Sequence, residues 1–218
     1  KTSTLLPPED EYSYPSGSNV TFKDKVSLEN ATTYTLTTIG EGTFDGAYEG
    51  FFTGTVTFNA SLSAIRDGAF KMQTVSKYDF SPLTLGTGIN IGKNTFKSNT
   101  ALTTVVTGDN LSGTITFGES CFEGCSKLKS FAVPRGTTIL GVNAFKNCTS
   151  LSEVTFANSD PSTIHIGMGI FDGCSSLTKI RVPKGTVDAY KKKLGTLPTG
   201  AEVIDDYSPT PTPSEDKT

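Results

Sequence analysis

A motif that recurs at a nearly constant interval limits what this chain can fold into more than any other feature. Six times an aliphatic or aromatic residue, usually a glycine, and three variable positions lead to a phenylalanine. I-G-E-G-T-F ends at Phe44, I-R-D-G-A-F at Phe70, I-G-K-N-T-F at Phe96, F-G-E-S-C-F at Phe122, L-G-V-N-A-F at Phe145 and I-G-M-G-I-F at Phe171. The intervals are 26, 26, 26, 23 and 26 residues. A segment this short cannot bury an apolar face by itself, so neighbouring copies must stack and bury one another. Each copy is therefore one coil of a solenoid.

A second pattern follows the later phenylalanines: Cys or Asn three residues on, Leu six on, an apolar residue nine on and often another eleven on. Phe122 leads to Cys125, Leu128, Phe131 and Val133; Phe145 to Cys148, Leu151, Val154 and Phe156; Phe171 to Cys174, Leu177, Ile180 and Val182. Phe96 keeps Asn99, Leu102 and Val105. The last two positions have period two, the mark of a strand with one buried face. Ile89/Ile91, Ile115/Phe117 and Ile164/Ile166 repeat that alternation just ahead of the next phenylalanine and predict a second short strand per coil. Between them, the spacing near three from Phe through Cys to Leu predicts a 3₁₀ or short helical turn. The glycine four before each phenylalanine, absent only at Arg66, predicts a close turn.

Two segments, C-F-E-G-C-S-K-L-K-S-F-A-V-P (Cys121–Pro134) and I-F-D-G-C-S-S-L-T-K-I-R-V-P (Ile170–Pro183), resemble the BspA-type leucine-rich repeat, a family of bacterial cell-surface proteins. The match is strong over residues 87–185 and weaker over 35–86, where Gln73 and Ser76 follow Phe70 in place of Cys and Leu. The resemblance implies a β-rich α/β solenoid, a right-handed stack of leucine-rich-repeat coils with short strands and 3₁₀ or short helical turns. V-P-K-G-T-V-D-A-Y-K-K-K-L-G resembles the end of such arrays, where a short helix closes the stack. It further implies a secreted or surface-held bacterial protein that mediates adhesion, and it carries no catalytic residues.

The ends read differently. Residues 1–19, with Pro7, Pro8, Pro15 and Gly17, predict an extended leader, and loosely alternating residues 20–38 predict strands that cover the first coil. About six coils fill 39–185. Thr186 can cap a helix running to Leu194, with Asp188 near its start and Lys191 to Lys193 near its end as the helix dipole favours, and Ala201–Ile204 can add a final strand. Together 20–205 form one domain. Residues 206–218, Ser-Pro-Thr-Pro-Thr-Pro among them, predict a stiff or disordered tail.

Nineteen basic against 22 acidic residues leave a net charge of −3, with no basic cluster fit to grip a phosphate backbone, so nucleic acid is not an expected partner. No apolar run approaches the ~20 residues of a membrane span, and no basic-then-apolar leader opens the sequence. A mature exported chain, its signal or lipid anchor removed, is the expectation, and a monomer. His165, the one histidine, falls between Ile164 and Ile166 on the outward side of a strand, too little for a triad or a histidine-based metal site. Cys125, Cys148 and Cys174 occupy one position in successive coils, where parallel Cβ vectors fit a disulfide badly, so an internal ladder of free thiols is favoured over bridges. Cys121, in the small position before Phe122, reads as packing. Cysteine spacing follows the repeat rather than a zinc motif, and no phosphate-binding glycine loop is present. No metal or other cofactor is expected. Glu119, Glu123, Asp172 and Asp188 fall mostly at variable turn positions, so an acid–base enzyme is not expected either.

The outward strand positions remain, eight and ten residues after each well-matched phenylalanine: Thr104 and Val106, Ser130 and Ala132, Glu153 and Thr155, Lys179 and Arg181. The period predicts four stacked rows on one exposed sheet, with Glu153 facing Lys179 across adjacent rungs. This face is the candidate binding surface for a host or matrix protein, or a glycan. A carbohydrate-active or carbohydrate-binding parallel β-helix and a passive structural stalk are the alternatives.

Overall fold

The phenylalanine motif becomes a stack of about six β-solenoid turns in the computed structural model, which describes residues 2–5, 17–22, 25–27, 33–45, 52–83, 88–107 and 113–207. In chain order the strands are β1 (Thr2–Leu5), β2 (Gly17–Thr21), β3 (Lys25–Ser27), β4 (Thr33–Ile39), β5 (Phe52–Thr57), β6 (Ala64–Ile65), β7 (Lys77–Asp79), β8 (Ile89–Ile91), β9 (Thr104–Val106) and β10 (Ile115–Phe117). There follow β11 (Ser130–Val133), β12 (Thr137–Leu140), β13 (Glu153–Phe156), β14 (His165–Ile166), β15 (Lys179–Pro183), helix α1 (Val187–Leu194) and β16 (Glu202–Tyr207). Each coil sends one strand into a parallel sheet ordered β1-β4-β6-β8-β10-β12-β14, turns through its phenylalanine, and sends a second strand to the opposite side. That side holds two parallel sheets, β2-β5-β7-β9 and β11-β13-β15-β16. Among the described strands only β3 runs antiparallel, against β4.

The rings form a continuous column inside the stack. Successive centroids lie 5.1 Å (Phe44–Phe70), 5.8 Å (Phe70–Phe96), 5.1 Å (Phe96–Phe122), 5.5 Å (Phe122–Phe145) and 6.0 Å (Phe145–Phe171) apart, with near-parallel planes. All six are buried. Offset stacking at these separations is the favoured geometry of an aromatic quadrupole, so each ring adds to its burial a modest directional attraction that also fixes the rung register.

Backbone hydrogen bonds along the turns explain why no helix forms there. In coil 5 the N–H groups of Asn143, Phe145 and Asn147 donate to the carbonyls of Met168, Ile170 and Asp172 in coil 6, at 3.1, 3.0 and 2.7 Å. The same alternate donors recur in coils 2, 3 and 4. Residues two before and two after the phenylalanine have positive φ, among them Asn94, Ser98, Ser120, Gly124, Asn143 and Asn147. A left-handed residue breaks any helical run and swings alternate peptide groups parallel to the stack axis. The expected 3₁₀ or short helical turn is thereby replaced by single turns, such as Lys97 N–H to Asn94 C=O at 3.1 Å.

The glycines four before phenylalanine serve close approach rather than a special backbone angle: Gly92, Gly118, Gly141 and Gly167 have no positive φ. A Cβ on Gly118 would lie 2.5 Å from the carbonyl carbon of Gly92, and one on Gly141 2.5 Å from that of Gly118. Each coil's backbone thus rests directly on the glycine column of the coil before it.

Three residues after phenylalanine, side chains donate to the phenylalanine carbonyl of the preceding coil. Gln73 reaches Phe44 (2.6 Å), Asn99 reaches Phe70 (2.9 Å), Cys125 reaches Phe96 (3.2 Å), Cys148 reaches Phe122 (3.2 Å) and Cys174 reaches Phe145 (3.1 Å). Gln73 therefore does the work of the missing cysteine. Coil 2 is one residue shorter after that point: Val75, Tyr78 and Phe80 are the buried positions, and Tyr78 stands in register with Val105.

At the N-terminal end, β1 and β2 add strands in register with β4 and β5, so part of the segment expected as a leader is hydrogen-bonded into both sheets. Residues 1 and 6–16 of that segment lie outside the described residues, as do 208–218 of the expected tail. At the other end α1 buries Tyr190, whose hydroxyl donates to the Asn158 carbonyl at 2.8 Å. Thr186 occupies the N-cap, but its hydroxyl donates back to Pro183 C=O at 2.7 Å instead of accepting from the helix.

Candidate functional site

The outward faces of β11, β13, β15 and β16 form a regular grid. Ser130, Glu153, Lys179 and Glu202 stand in register across the four strands, and Ala132, Thr155, Arg181 and Ile204 form the next row. The alternation is set by the strand period: Phe131, Val133, Val154, Phe156, Ile180 and Val182 fill the core, which turns the intervening residues outward. Ser130, Ala132 and Lys179 are exposed, and Glu153, Thr155 and Arg181 are half-buried.

Thr104 and Val106 do not share this grid. They lie on β9, which ends the sheet through β7, and no backbone ladder joins β9 to β11. The Thr107 hydroxyl donates to Ala132 C=O at 3.2 Å there, a side-chain bond across the seam. Three of the four expected rows therefore share one sheet, and the fourth belongs to a second sheet, where Thr55, Lys77 and Thr104 are in register.

The charges also pair differently. Glu153 does stand opposite Lys179, but its carboxylate accepts from Arg181 Nε at 2.9 Å, and Asp206 takes Arg181 from the other side. A guanidinium offers several planar donors and can hold two carboxylates, whereas an ammonium is a compact charge on a flexible stem. Lys179 makes no ion pair among the described residues and is exposed, a free cation beside a neutralised one. Asp206 was beyond the reach of sequence reasoning, because β16 runs past Ile204 to Tyr207 and only the fold brings it beside β15.

Side-chain chemistry elsewhere is muted. All four cysteines are free and buried. Burial, with Cys148 beside it, pushes the Cys174 thiol up to about 12; burial raises Cys121, and Cys125 and burial raise Cys148. Protonated thiols are poor nucleophiles. Among shifted carboxyls, burial raises Asp79 and Glu123, but Ser81 with Lys77, and Ser120 with Lys97, more than offset it, and both end lowered. Asp160 is lowered by the Ser162 hydroxyl and amide. No shifted carboxyl among the described residues is raised toward neutrality, as a general acid requires. His165 is exposed on β14. Among the described residues no group of three or more His, Cys, Asp or Glu could hold a metal ion, and no helix is long and apolar enough to cross a membrane.

Residues 17–116 and 114–194 match the BspA type leucine rich repeat region, in six copies. No curated protein sequence matches the chain. Among solved structures, a leucine rich cell surface protein from Faecalibacterium prausnitzii superposes with a TM-score of 0.57 at 19% identity, covering 83% of this chain and 50% of that one. This chain thus spans half the length of that neighbour. The T. pallidum leucine rich repeat protein gives 0.48 at 22% identity, covering 68% and 72% of the two chains. The pneumococcal vaccine antigen PcpA gives 0.47 at 18%, covering 91% and 64%. At these identities the first likeness speaks for the fold alone.

Proposed function

Because the chain belongs to the BspA-type leucine-rich repeat family, we propose that it is a non-catalytic, cell-surface binding module that docks a host or matrix protein on the outward face of β11, β13 and β15. Residues 20–205 act as one solenoid domain, monomeric and held outside the bacterial cell. The observation that carries this reading is the grid itself. Small residues, Ser130 and Ala132 exposed and Thr155 half-buried, give a flat floor, and Arg181 is fixed between Glu153 and Asp206 beside Lys179, which makes no ion pair among the described residues. Such a surface presents shape and a fixed charge pattern over a wide area without any reactive group. The F. prausnitzii neighbour, described as a cell surface protein, is consistent with that location.

The test is surface-based binding of the full chain to a panel of purified matrix proteins and host glycans, repeated with Thr155→Glu and Arg181→Glu. A partner whose affinity falls about tenfold or more with these variants, each still cooperatively folded, supports docking on this face. Unaltered capture places docking elsewhere.

A further inference from the structure

We propose that the C-terminal edge of the phenylalanine column is a second docking site, one that receives an extended polypeptide segment as an added rung on coil 6. In coils 2 to 5 the axial N–H groups of the turn are taken up by the coil that follows, as Asn143, Phe145 and Asn147 are by coil 6. Their counterparts in coil 6 are Gly169, Phe171 and Gly173, and these three N–H groups have no acceptor among the described residues. The carbonyl five before each phenylalanine likewise accepts from the next coil: Ile65 from Gly92, Ile91 from Gly118, Phe117 from Gly141, Leu140 from Gly167. Ile166 is next in that series, and β14 ends its sheet.

The rest of coil 6 is already closed. β16 pairs with β15, and the Lys193 ammonium donates to Ile164 C=O at 2.8 Å, where a seventh coil would otherwise bond. Val187, Leu194 and Leu197 pack on the core, and the Phe171 ring is buried. Along the turn itself Gly169 is half-buried and Gly173 exposed.

Side chains beside this edge change character in the same place. Three residues before phenylalanine, coils 1 to 4 carry Glu41, Asp67, Lys93 and Glu119, whereas coils 5 and 6 carry Val142 and Met168, 40% and 83% exposed. With Ile139, 42% exposed and in register with His165, they make three of the four large hydrophobic residues left exposed among the described residues.

The edge selects its occupant. Three donors at alternate residues suit alternate carbonyls of one polypeptide, the arrangement that every internal rung already satisfies. A second copy of the same edge would set donors against donors. The residue placed over Gly167 must be glycine, because a Cβ on Gly167 itself would lie 2.3 Å from the Val142 nitrogen and 2.6 Å from the Gly141 carbonyl carbon of the rung beneath. The occupant is therefore an extended segment with glycine followed by an apolar residue, the pattern of the repeat's own turn.

A synthetic peptide copying residues 162–176, with Cys174 replaced by Ser, is the probe, and amide hydrogen exchange of the full chain is the readout. In the free protein the Gly169 and Gly173 amides exchange fast while those of Asn143, Phe145 and Asn147 exchange slowly; saturating peptide slows Gly169, Phe171 and Gly173 by about tenfold or more. A peptide carrying Gly167→Val leaves them unchanged, and Met168→Lys in the protein weakens peptide binding. Exchange at these three amides that does not respond to millimolar peptide overturns the proposal, as does protection caused by self-association of the chain. Neither result bears on the sheet face, whose variants lie on β13 and β15.

Discussion

Coils 2 and 3 meet the same structural demand as coils 4 to 6 with different chemistry. Each supplies a side-chain donor to the phenylalanine carbonyl one rung back, a hydrogen bond that ties successive rungs together. Gln73 and Asn99 do so with amides, and each leaves a buried oxygen, Gln73 Oε1 and Asn99 Oδ1, without a hydrogen-bond partner among the described residues. Cys125, Cys148 and Cys174 do so with thiols. A thiol has one proton to give and is otherwise nearly apolar, so it satisfies the carbonyl and leaves no strong acceptor unmatched. The two halves differ in their surroundings as well. Phe70 is ringed by Phe22, Phe44, Phe52, Phe58, Tyr78 and Phe96, whereas Phe145 touches Phe122, Phe131 and Phe171. The rung register is thus held by the column, and the side chains around it are free to vary.

If the column is one unit across both halves, removing a ring from either should hurt alike. Phe70→Ala and Phe145→Ala are each expected to cost about 3–5 kcal/mol in urea unfolding. A loss below about 1 kcal/mol for either would separate the halves. Next comes the glycine column. Gly141→Ala must push coil 5 off coil 4 and should cost about 1–3 kcal/mol. Arg66→Ala, at the one column position without glycine and already exposed, should stay within about 0.5 kcal/mol.

The donor exchange is tested more finely. Cys148→Val removes the inter-coil bond to Phe122 C=O, which still accepts from Cys125 N–H at 3.1 Å, and is expected to cost about 0.5–1.5 kcal/mol. Asn99→Cys, which imports the C-terminal solution into coil 3 and removes an orphaned oxygen, should remain within about 1 kcal/mol of the parent. A large loss there would show that the second Asn99 bond, to Phe96 C=O at 2.7 Å, is what coil 3 depends on. The smallest effect is on pH dependence. Unfolded thiols lose their protons near pH 8.5, while Cys174 is pushed up to about 12 in the fold and Cys121 is also raised. Above pH 8.5 the native state therefore holds more protons than the unfolded one, so stability is complete below that point and falls as pH rises toward 12. The melting temperature should decline across that window, with the native thiols unreactive to iodoacetamide at pH 8. A flat profile would contradict their burial.

Much of this was legible in the sequence, for a physical reason: a repeat forces each residue to solve the same packing problem, so the spacing reports the geometry. The phenylalanine column, the strands of the later coils and the outward placement of Ser130, Ala132, Glu153, Thr155, Lys179 and Arg181 follow from that spacing. What escaped depends on backbone angles and on partners distant in sequence. Left-handed residues at Asn94, Ser98 and Asn147 turn a helix-like spacing into single turns. The one-residue deletion after Gln73 disguises coil 2, although Val75, Tyr78 and Phe80 carry its pattern in shifted form. The seam between β9 and β11 and the choice of Arg181 over Lys179 were settled by three-dimensional placement that periodicity does not encode.

Nuclear Overhauser contacts among the phenylalanine ring protons test the stacked column most directly. The account predicts contacts from each ring to the next in the order Phe44, Phe70, Phe96, Phe122, Phe145 and Phe171, and none between rings two coils apart. Rings of Phe122 and Phe145 without mutual contacts, or with contacts that skip a coil, would contradict it.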